Sequence, residues 1–107
     1  MNAIVAGLVD DMEEYWDAFE EFPLYQLGWS LRDGAPMTAA MVALAQQAYD
    51  EFTSRHPTRV VLTPWPIDLD QAEPLAPGTP LDFDLDPDGP VGTPLQVLVP
   101  ADHAVRT

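Results

Sequence analysis

Residues 4–22 read IVAGLVDDMEEYWDAFEEF, and the separation of their apolar and acidic members decides the first half of the fold. At about 100° per residue, Ile4, Val5, Leu8, Val9, Met12, Tyr15, Trp16, Phe19 and Phe22 fall in one broad arc. Asp10, Glu13, Glu14, Asp17, Glu20 and Glu21 fall in the opposite arc, with Asp11 at its edge. One side of such a helix must be buried, and the other is a dense anionic surface. No lysine or arginine is interspersed, so its i,i+4 neighbours are like-charged and mildly destabilising. The pattern predicts a helix from Asn2, a side-chain cap, to about Glu21.

Moving outward, Pro23 can open a shorter second helix with Leu24, Leu27 and Leu31 on one face and Gly34 as its stop. Thr38 then caps a third helix, whose buried stripe is Met41, Ala45, Ala48, Tyr49 and Phe52 and whose end is His56-Pro57. The small alanines of that stripe leave room for the aromatic side chains of the first helix.

The pattern changes at Pro57. All but two of the 12 prolines lie from there onward, and proline excludes helix interiors because it lacks an amide donor. Val60–Leu62 reads as a buried β-branched strand leading into Pro64-Trp65-Pro66, with the proline-rich 67–80 stretch an ordered excursion anchored by Trp65, Ile67 and Leu69. Leu81–Leu85 alternates apolar and acidic residues, and Leu95–Val99 is apolar, so residues 81–99 are expected to form a hairpin with a long loop. Residues from about 101 should fray. The expectation is one α+β domain over 1–107: three N-terminal helices (1–56) on a small, mostly antiparallel three-stranded sheet (57–100). Its core should contain Leu8, Met12, Tyr15, Phe19, Leu27, Leu31, Met41, Ala45, Phe52, Val61, Phe83 and Val97.

Composition narrows the function. With 18 acidic residues against 4 arginines, the formal charge is −14 over 107 residues. Nucleic acids and anionic membranes are bound by cationic residues that replace counterions, so direct binding to either is excluded and any steered partner should be basic. There is no cysteine, which removes disulfides and thiolate metal sites. Asp10 and Asp11 interrupt the N-terminal apolar run, so a signal peptide is not expected and a cytoplasmic location is. The abundance of alanine, proline and aspartate, with arginine in place of lysine, has the look of a high-GC bacterial genome.

The sharpest local motif is Asp84-Leu85-Asp86-Pro87-Asp88-Gly89, which resembles the start of an EF-hand calcium loop. Alternate aspartates around a glycine turn can aim hard oxygens at one cation. The distal position that needs a bidentate glutamate falls on Leu95, however, and no flanking helices are expected. A solvated turn is the plainer reading, with calcium binding by Asp84, Asp86 and Asp88 an alternative. Catalysis has little support. His56 and His103 stand far apart, Ser30 and Ser54 lack glycine elbows, and the six glycines are scattered singly.

The residues therefore point to a noncatalytic module that binds a basic protein through Asp10, Glu13, Glu14, Asp17, Glu20 and Glu21, with Trp65 as an interface anchor if it is exposed nearby. Inhibitor or immunity proteins and nucleic-acid mimics work this way. Asp10, Glu13, Asp17 and Glu20 recur each helical turn, about 5 Å apart, a spacing coarsely like that of phosphates along a strand. A structural subunit of an obligate complex is a further alternative.

Overall fold

The computed structural model describes residues 2–83 and 94–103. Within them are three helices, α1 (Ala3–Phe19), α2 (Tyr25–Arg32) and α3 (Ala39–Arg55). Strands β1 (Phe22–Pro23), β2 (Thr58–Pro64), β3 (Glu73–Pro74) and β4 (Pro94–Pro100) form one antiparallel sheet in the order β1-β4-β2-β3. The fold is α+β, with one more strand than the sequence predicts. No described helix is long and apolar enough to cross a membrane.

Both long helices start on the predicted caps. Asn2 Oδ1 accepts the Ile4 amide at 2.7 Å, and Thr38 Oγ1 accepts the Met41 amide at 3.2 Å. The first helix ends earlier than predicted. Glu20 takes a left-handed conformation (φ 52°) and its amide closes on the Trp16 carbonyl. That turn carries Phe22 and Pro23 out of the helix and onto the sheet, where they pair with Leu98 and Val97. The second helix accordingly begins at Tyr25 rather than Pro23. A two-residue strand has no periodicity to betray it, so its neighbour's apolar arc absorbs Phe22.

The sheet also differs from the expected hairpin. β4 pairs along its whole length with β2, from Thr58↔Pro100 to Pro64↔Pro94. Leu81, Asp82 and Phe83 are not in a strand; the Asp82 amide donates to Gln96 Oε1, and Gln96 Nε2 donates to the Pro80 carbonyl. The remaining positions of that predicted strand lie outside the described residues. Both edge strands, β1 and β3, are two residues long and contain a proline, which leaves little free ladder for another chain to extend.

Register divides the apolar residues between two faces. Val60 and Leu98 face the helices and join Val5, Leu8, Val9, Met12, Phe22, Leu24, Leu27, Ala45, Ala48, Phe52 and Phe83 in the main core. Val61, Leu95, Val97 and Val99 face the other way and are covered by Tyr25 and Ala72, with Trp65, Ile67 and Leu69 against them. The proline-rich excursion packs on this face through Trp65, Ile67 and Leu69. Buried Thr63 ties it down, donating to the Asp68 carbonyl and accepting the Asp68 amide, each at 3.0 Å. Of the predicted core, Phe19 is 61% exposed, and Tyr15, Leu31 and Met41 are only half-buried. The other eight are buried.

Candidate functional site

Two arms of the molecule fail to close on one another, and the gap between them is the candidate site. α1 and α2 each pack on α3, yet they hardly touch each other. Between them runs a groove of about 360 Å³. Leu8, Tyr15, Phe19, Phe22 and Leu27 make its apolar surface; Asp11 and Glu14 stand on the α1 side, Gln26 and Ser30 on the α2 side. None of its lining residues is basic.

The aromatic part is built by sequence spacing. Tyr15 and Phe19, four residues apart, meet at 4.8 Å between ring centroids, and Tyr15 meets Phe22 edge-on at 5.5 Å. Phe22 is buried because β1 holds it on the sheet, so Phe19 is left at the open end of the row. An exposed phenylalanine beside a concave apolar surface is the kind of feature that marks binding sites on soluble proteins. Burial, reinforced by the Glu21 carboxylate and by Tyr25, pushes the Tyr15 phenol above its ordinary range.

The structure sorts the predicted acidic residues into three groups. Asp10, Glu14, Asp17 and Glu20 are exposed, as is Asp11. Glu13 is half-buried and is not a free surface charge: both its oxygens lie within 2.9 Å of His56 Nε2, and Arg55 Nη1 is 4.0 Å away. Glu21 lies beyond the helix end, half-buried; desolvation raises its pKa, against a lowering pull from His103. Trp65 is half-buried against the second cluster, on the sheet face opposite the helices, and so is not beside the acidic surface of α1. Asp84, Asp86 and Asp88 lie outside the described residues. Asp68 is occupied in its own turn, accepting the Asp70 amide and the Gln71 side chain. Among the described residues, no group of three or more His, Asp or Glu side chains is arranged to hold a metal ion.

The Glu13–His56 contact joins the middle of α1 to the end of α3, and the imidazole also packs on Phe52 at 4.6 Å and on Trp16 at 5.9 Å. Because both side chains are about 30% exposed, solvent screens the pair. A double-mutant cycle with Glu13→Gln and His56→Ala, read by urea unfolding, should give a coupling of about 0.5–1 kcal/mol. A coupling near zero would mean that the two side chains merely lie side by side.

Sequence reasoning missed the groove because it assigned Tyr15 and Phe19 to the core. The available signal was that nine apolar residues between Ile4 and Phe22, about five helical turns, are more than one partner helix can cover. The sequence matches no protein-family model, no curated protein and no solved structure.

Proposed function

We propose that this protein is a noncatalytic binding module that engages a basic protein partner through α1. One observation carries the reading: five exposed carboxylates stand on α1 and its C-cap, at positions 10, 11, 14, 17 and 20, and two of them, Asp11 and Glu14, line an apolar groove that has no basic residue in its lining. Opposite charges steer encounter and make association rates salt-sensitive, while a desolvated apolar contact supplies residence time. A helix whose like-charged neighbours repel one another gains free energy when a basic partner covers them.

The test separates a specific face from mere net charge. An oligoarginine peptide of about ten residues serves as the cationic probe, titrated at low and near-physiological salt. Asp10→Asn, Glu14→Gln and Asp17→Asn together should weaken its binding by about tenfold and flatten the salt dependence. Neutralising Asp70, Glu73 and Asp102, exposed residues elsewhere, removes the same charge and should have a much smaller effect. Equal losses from the two triple variants would reduce the interaction to bulk charge and sink the proposal. Against any natural partner found later, competition by duplex DNA would show that the arc occupies a nucleic-acid site.

A further inference from the structure

Taking as its premise that α1 binds a basic partner, we propose that the α1–α2 groove seats an amphipathic cationic helix, with its apolar side chains in the groove and its basic ones against Asp11 and Glu14. Length supports a helical occupant. The α1 lining runs from Leu8 to Phe19, roughly 16 Å at 1.5 Å per residue, or about three helical turns. Apolar anchors at i, i+3 or i+4, and i+7 of an incoming helix would span that distance, which is how helices are read by hydrophobic grooves. The volume, about 360 Å³, is enough to take a few large apolar side chains.

Charge selects the occupant's polar face. Asp11 and Glu14, three residues apart, sit on the same side of α1 at the groove's margin. A helix lying alongside would bring lysine or arginine within reach of both by spacing its cations similarly. A second copy of this chain is a poor occupant, because two molecules of formal charge −14 repel and neither would bring cations to the acidic margin. Gln26 and Ser30 on the α2 side carry no charge, so the occupant's cations are expected towards α1 and its uncharged polar residues towards α2. This assigns an orientation as well as a chemistry.

The experiment uses the full chain and two synthetic leucine–lysine peptides of about 14 residues, four helical turns. One has its leucines on one helical face; the other is a scramble of the same composition, charge and length. The amphipathic peptide should bind about tenfold more tightly than the scramble and become helical on binding. Phe19→Ala, which truncates a residue 61% exposed, and Ser30→Trp, which fills the groove from an exposed position, should each abolish most of that advantage. Thermal unfolding verifies that both variants fold.

Equal binding of the two peptides, or an advantage that survives both groove substitutions, overturns the groove assignment while leaving the acidic surface as the binding face. Failure of both peptides to bind at low salt overturns the groove assignment and the proposed function together. Self-association that is lost on Phe19→Ala would replace the cationic helix with a second copy as occupant.

Discussion

Ala45→Arg is expected to leave the chain without a stable fold at 25 °C. Ala45 is fully buried on α3, in the main core with Ala48 and Phe52. Arginine there must either displace its neighbours or hold a guanidinium in an apolar interior. Overpacking alone costs about 1–3 kcal/mol, and an unpaired buried charge adds several more. Domains of this size have only about 5–15 kcal/mol of total stability, so the sum approaches or exceeds what is available. The change also reduces the net charge, which acts in the stabilising direction, so a loss of fold cannot come from global repulsion. Ala43→Arg is the matched control. It lies on the same helix but is exposed, and it should alter stability by no more than about 0.5 kcal/mol. Far-UV circular dichroism with urea titration of the two variants distinguishes them. Cooperative unfolding of Ala45→Arg at the parent midpoint would mean that α3 does not present this stripe to the core.

Gly28→Ala is expected to destabilise the protein although alanine is the better helix former. In an open helix position, glycine to alanine gains about 1 kcal/mol. Here a Cβ would overlap the backbone carbonyl oxygen of Phe83, with the Met37 sulfur also close. Backbone cannot yield as a flexible side chain can. Parting α2 from that segment would also loosen Phe83, whose side chain belongs to the main core and meets Tyr49 edge-on. A net loss of about 2–4 kcal/mol follows, lowering Tm by roughly 10–20 °C. Gly7 provides the opposite case, because nothing lies within 4 Å of a Cβ placed there on α1. Gly7→Ala should therefore raise stability by about 0.5–1 kcal/mol. Calorimetry on both variants tests the pair: two shifts of the same sign would show that helix propensity, not the approach of Phe83, governs position 28.

Nothing local to α2 announces the constraint at Gly28. A glycine within a helical pattern reads simply as a weak helix residue, and only a segment arriving from 55 residues later gives it a purpose. The candidate site repeats the lesson. The acidic arc of α1 is written in residues three and four apart, so sequence alone separates it from the apolar arc. Which apolar residues remain uncovered depends on where α2 lies, and α2 is placed by α3 and by the Leu24 amide bonding to the Gln96 carbonyl. Glu13 belongs to the acidic arc by periodicity, yet His56, 43 residues away, withdraws it from the open surface.

By itself the sequence determined the two long helices, their Asn2 and Thr38 caps, the strands around Val60–Leu62 and Leu95–Val99, and an α+β class. These follow from side-chain capping and from periodicities of 3.6 and 2, which act within a few residues. Tertiary structure alone decided that Phe22 and Pro23 become an edge strand, that β4 pairs along its length with β2 while Leu81–Phe83 stay outside any strand, and that Phe19 is left outside the core. Each of those outcomes is a choice among distant partners of similar local merit. It is settled by which arrangement buries the most apolar surface while pairing the backbone, a property of the whole chain that no short window contains.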